Sequence, residues 1–204
     1  MKRLFAIAVT IMLATLLASC GKAGGVSDGL TDEFRQFLAI RKSRPESSYA
    51  QVQDGYTYNL DAGALRVWDE AGGDVWQSPE EWYVEDFRLG DVDGDGHADL
   101  LFTLWKSYSF GPTHPERMVN DDPAVRCHLF LYTMRAGRMK ALWGTSNLPR
   151  PIYGFELAFD GPQTPVFSGA VLRTREGRYT DDFFSRTEAR EYIYVWRGWG
   201  FVEE

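Results

Sequence analysis

Four aspartates, Asp91, Asp93, Asp95 and Asp99, fall within the short stretch Gly90-Asp91-Val92-Asp93-Gly94-Asp95-Gly96-His97-Ala98-Asp99-Leu100-Leu101. Carboxylates this close repel one another, and a hard cation among their oxygens removes the repulsion. Calcium takes several oxygen ligands at ~2.3–2.6 Å, which alternating residues of a tight turn can supply. Asp91, Asp93 and Asp95 alternate, His97 offers its backbone carbonyl, and Asp99 closes the set. Gly94 and Gly96 let the chain turn tightly, with positive φ where required. The expected ion is structural, because no nucleophile or base adjoins the loop in sequence.

The flanks must hold this loop. Apolar Leu100-Leu101-Phe102 follows it and Val84-Glu85-Asp86-Phe87 precedes it, so the loop joins two strands. An EF-hand would need flanking helices and a glutamate where Phe102 stands, and is rejected. From Tyr49 onward the signals are β. Three hairpins share one form: Leu65 to Trp68 turning at Ala71-Gly72-Gly73 into Asp74 to Ser78, Leu129 to Tyr132 turning at Ala136-Gly137 into Met139 to Trp143, and Tyr192 to Trp196 turning at Arg197-Gly198 into Trp199 to Val202. Val67, Leu131 and Tyr194 recur at a period of about 64 residues, the mark of a repeated supersecondary unit.

With Asp-x-Asp-x-Asp-Gly-x-x-Asp, the apolar run after it, and the Trp76 hairpin upstream, the segment resembles the calcium loop of FG-GAP/VCBS-type repeats. These form the four-stranded blades of integrin-like β-propellers. The resemblance implies Asp91, Asp93, Asp95 and Asp99 as side-chain ligands and His97 as a carbonyl ligand. It covers roughly residues 64–105 and weakens over 129–175, where the equivalent loop Phe159-Asp160-Gly161-Pro162-Gln163-Thr164-Pro165 lacks the ligands. The Phe-Gly…Gly-Ala-Pro element of one branch is not evident. The expected fold is therefore mainly β, with propeller-blade-like antiparallel repeats near 64–105, 129–175 and 191–204 inside a β domain over 49–204. Propellers close with typically four to eight blades, and two units and a fraction fit a compact monomer better than a closed ring. One helix is expected within 30–48, on the apolar stripe Phe34, Phe37, Leu38 and Arg41, with Asp32 and Glu33 at its positive end and Pro45 stopping it.

The first residues read as a processing signal. Basic Met1-Lys2-Arg3 precedes an apolar run from Leu4 to Leu16, then Leu17-Ala18-Ser19-Cys20 and the polar Gly21-Lys22-Ala23-Gly24-Gly25. This resembles the bacterial lipoprotein signal, which implies a signal peptide over 1–19, lipidation of Cys20 and a flexible tether over 20–29. The expected location is the extracytoplasmic face of a bacterial membrane, held by acyl chains. Loss of Lys2 and Arg3 takes the formal charge from −7 to −9, which argues against nucleic-acid partners and against electrostatic adhesion to anionic lipid.

With Cys20 lipidated, Cys127 has no partner for a disulfide, and its strand-like setting makes it a buried small hydrophobe. His97, His114 and His128 match no zinc spacing. The long loop from Lys106 to Pro123 is the first choice for a ligand surface, and Arg175 to Arg186 adds charged and aromatic residues. Neither a nucleophile elbow nor a phosphate loop is present. The expected role is a non-enzymatic surface lipoprotein, a calcium-stabilised β module binding a protein or an envelope glycan. The competing expectation is a cell-envelope hydrolase whose carboxylates meet only in the fold.

Overall fold

Alternating apolar and polar residues from Tyr49 onward fold into twelve strands in the computed structural model, which describes residues 30–42, 48–109, 121–161, 169–180, 183 and 189–204. The expected signal peptide, Cys20 and the tether lie outside the described residues, as do Pro45 and His114. The strands form three antiparallel sheets of four, each a meander of consecutive strands. The first holds β1 (Tyr49–Gln53), β2 (Tyr56–Asp61), β3 (Ala64–Asp69) and β4 (Asp74–Gln77). The second holds β5 (Tyr83–Gly90), β6 (Asp99–Ser107), β7 (Val125–Arg135) and β8 (Arg138–Gly144). The third holds β9 (Ile152–Ala158), β10 (Val171–Glu176), β11 (Arg190–Trp196) and β12 (Phe201–Glu203). Two-residue turns at Asp54-Gly55, Ala62-Gly63 and Ala136-Gly137 each hold consecutive positive φ values, the primed geometry whose twist matches the strands it joins.

The second sheet lies in the middle. In β6 every residue from Asp99 to Lys106 is buried, so both faces are covered. Leu100, Phe102 and Leu104 pack with Tyr58, Leu60, Leu65 and Val67 of the first sheet. Leu101 and Trp105, with Cys127, Leu129 and Leu131 of β7, pack against Phe155 and Leu172 of the third. Cys127 is thus a buried apolar filler, as its strand setting predicts. Burial pushes its thiol up to about 12, away from nucleophilic use.

The repeat in the sequence corresponds to a structural one, offset. Val67, Leu131 and Tyr194 sit on β3, β7 and β11, the third strand of each sheet. Each Trp-bearing hairpin is therefore the second half of a sheet, and hydrogen bonding breaks between β4 and β5 and between β8 and β9. The expectation of two units and a fraction is corrected to three complete four-stranded sheets. Hairpin chemistry is local and readable; the point where a chain leaves one sheet for the next depends on which faces pack, which no local pattern encodes.

Helix α1 (Asp32–Lys42) is capped by Thr31, whose hydroxyl accepts the Phe34 amide at 3.1 Å. Phe34 and Phe37 are fully buried against the sheets, and the Phe37 ring lies 5.3 Å from Trp105 and 5.5 Å from Tyr83. Arg41, on the same stripe, donates to the Tyr83 hydroxyl and to Glu85 Oε1, both at 2.7 Å. The helix is a docked cap, and Thr31 meets Ser107, the last residue of β6, at 2.6 Å. Among the described residues no helix is long and apolar enough to cross a membrane.

Candidate metal centre

The acidic loop begins where β5 ends at Gly90 and finishes at Asp99, which pairs with Gly90 across the β5–β6 ladder. The ladder thus fixes both ends of the loop. Inside it the aspartates organise the backbone. Asp91 Oδ1 accepts the amides of Gly94 at 2.8 Å and Asp95 at 3.0 Å, and its Oδ2 accepts Gly96 at 2.9 Å. Asp93 Oδ1 accepts the Asp95 amide at 3.1 Å, and Asp95 Oδ1 accepts the His97 amide at 2.9 Å. Gly94 and Gly96 stand at φ 81° and 88°, the left-handed path that L side chains resist.

Carboxylate oxygens of Asp91, Asp93 and Asp99 lie within 4.8 Å of one another. Asp99 is fully buried. Its Oδ2 accepts the amides of Val92 at 3.0 Å and Asp93 at 3.3 Å, while its Oδ1 has no hydrogen-bond partner. Burial pushes the Asp99 carboxyl up to about 6, reinforced by the Asp93 charge and opposed by the amides of Asp93 and Val92. Asp93 is raised for the same reason, burial first and the Asp95 charge next. A buried anion with an unpartnered oxygen, beside two more carboxylates, is an arrangement that a hard cation stabilises. The all-oxygen donor set fits calcium or magnesium and suits no soft metal. Of the expected ligands, Asp91, Asp93 and Asp99 come together. Asp95 turns instead toward Arg135, with which it pairs, and His97, expected to ligate through its backbone carbonyl, is an exposed residue.

Three further residues shape this site, and none has a sequence signature. Thr133 faces Asp99 in register on β7. Arg135, at the end of β7, reaches Asp93 Oδ2 at 3.4 Å as well as Asp95. Asp54, from the β1–β2 turn of the neighbouring sheet, accepts the Ala98 amide at 3.1 Å. The third sheet presses from the other side: a Cβ on Gly90 would stand 2.5 Å from the Phe159 ring. All are contacts across sheets or strands, which spacing in the chain does not reveal.

Elsewhere among the described residues several polar groups have partners within the protein, while Trp105 Nε1, His128 Nε2 and Asn147 Oδ1 are buried without a hydrogen bond. In the loop after β6 the Lys106 ammonium donates to the carbonyls of Tyr108 and Ser109, and burial lowers it to about 8. The Ser109 amide donates to Asp121 at 2.9 Å. His128, pushed down to about 4 by burial, rests against Phe130 on the face opposite Cys127. In the loop after β10, Tyr179 and Phe183 fill the core, Tyr179 edge-on to Trp105 at 6.1 Å and Phe183 edge-on to Phe37 at 5.4 Å. Buried Glu176 is taken by Arg150, Thr174 and Tyr194 at 2.6–2.8 Å. No family model matches the chain, and neither a curated protein nor a solved structure matches it.

Proposed function

We propose that this chain is a calcium-stabilised, non-catalytic β module of the FG-GAP/VCBS blade type, carried on a bacterial membrane by a lipidated Cys20 and binding a protein or an envelope glycan. The observation that carries the calcium reading is the fully buried Asp99, one carboxylate oxygen unpartnered, held beside Asp91 and Asp93. Asp95 and the His97 carbonyl complete the proposed ligand set once the ion draws the loop together. The three consecutive four-stranded meanders support the blade reading.

Position in the fold supports an orientation. The helix enters at Ser107, and the acidic loop sits before Asp99, at the other end of the same strand. At ~3.3 Å per residue these ends lie roughly 26 Å apart. A tether leading into the helix therefore leaves the calcium end pointing away from the bilayer. In this reading the ion braces the distal rim, where the β1–β2 turn reaches Ala98 and Phe159 lies beside Gly90.

Two measurements test this reading. Calcium should raise the melting temperature of the purified chain and a chelator should lower it, because a ligand of the folded state stabilises by mass action. Detergent but not salt should release the native protein from membranes, and Cys20→Ala should be found unanchored. Indifference to millimolar calcium removes the first half of the proposal; salt release removes the second.

A further inference from the structure

Strand β7 runs two residues past the point where Thr133 pairs with Asp99, and so delivers Arg135 over the acidic loop. Its guanidinium touches Asp93 Oδ2 at 3.4 Å and pairs with Asp95. Asp93 also belongs to the group of three oxygens suited to an ion. A guanidinium and a divalent ion cannot both hold the same carboxylates without strong mutual repulsion. Asp95 stands on the Arg135 side of this division, outside the trio, although the loop's alternation makes it a ligand.

We propose that Arg135 is a tethered competitor for the ion: it binds Asp93 and Asp95 until calcium displaces it, and so sets the affinity of the site. This rests on the calcium reading above. Arg135 lowers the affinity by holding two of the ligands, and it supports the loop when calcium is scarce by partly neutralising it. The loop therefore keeps its fold across a range of calcium concentrations, while its charge and the placing of Asp95 change with the ion.

The test is calcium titration by calorimetry of the full chain, comparing wild type, Arg135→Gln and Arg138→Gln. Arg138 pairs with Arg135 across the β7–β8 turn and serves as a control for net charge. Arg135→Gln should bind calcium about three- to tenfold more tightly, the gain shrinking at high ionic strength, while Arg138→Gln changes affinity less than about twofold. In chelator, Arg135→Gln should melt below wild type, and the difference should close when calcium is added. An unchanged or weaker affinity in Arg135→Gln overturns the inference, as does an equal gain in Arg138→Gln. Wild type that binds without a gain in Arg135→Gln defeats this inference alone; wild type that shows no binding defeats the calcium reading as well.

Discussion

The Asp54 carboxylate accepts the Ala98 amide at 3.1 Å, so a turn of the first sheet holds the acidic loop of the second. Gln53 Nε2 donates to the other oxygen at 3.0 Å and steadies it. Asp54 also stands at φ 51°, a conformation that Asp and Asn accept and Ala resists. Asp54→Asn keeps an acceptor oxygen and should stay within about 0.5 kcal/mol of wild type in urea unfolding, whereas Asp54→Ala should lose about 1–2 kcal/mol. Equal stability of the two variants would show that the contact contributes nothing.

Ligand removal should separate binding from folding. At a calcium concentration a hundredfold above Kd, wild type should gain about 2.7 kcal/mol of stability. Asp93→Ala should lose most of this gain and keep a folded, chelator-insensitive ground state, since Asp93 accepts only one loop amide. Differential scanning calorimetry with and without calcium reads both effects. A full calcium gain in Asp93→Ala would exclude that carboxylate as a ligand.

The pH dependence follows from Asp99. Its folded value of about 6 lies above the ordinary aspartate value, so between about pH 4 and 6 the folded state binds more protons than the unfolded one. In chelator, stability from this group is therefore fullest in acid and falls as pH rises through that window, by at most roughly 3 kcal/mol. Other carboxylates titrate nearby, so the diagnostic is the difference between wild type and Asp99→Asn, which should slope across the window and flatten above it. Calcium should cancel the slope by holding Asp99 ionised. A wild-type curve parallel to the variant's would mean that Asp99 titrates normally.

Phe37 fastens the helix. Its ring is fully buried among Phe34, Tyr83, Trp105 and Phe183. Phe37→Ala should cost about 3–5 kcal/mol and expose α1 to limited proteolysis before the sheets unfold. Loss of the helix together with the sheets, in a single transition, would show that it is an integral layer and not a cap.

What could be read in the chain was what lies close together in it. The aspartate loop, the Trp hairpins and the Phe34–Phe37–Arg41 stripe are each set by neighbours a few residues apart, and each is present. The repeat is offset from the sequence expectation because β4 and β5 lie near one another in sequence yet belong to different sheets. Asp54, Thr133 and Arg135 escaped notice because a turn aspartate, a strand threonine and an arginine before a tight turn look ordinary until another strand is laid beside them. Asp95 shows the opposite limit: alternation assigns it to the ion, while an arginine forty residues on claims it first.

The helix is the first described element, yet its cover comes late. The residues it packs on, Tyr83, Trp105 and Phe183, are spread over most of the remaining sequence. As the polypeptide emerges, each meander can form from its own stretch, but the seat of the helix, begun by Tyr83 and Trp105 of the second sheet, is complete only when Phe183 has been added. The first described element is thus the last to have its cover completed, and its docking reports that the chain has formed as far as Phe183.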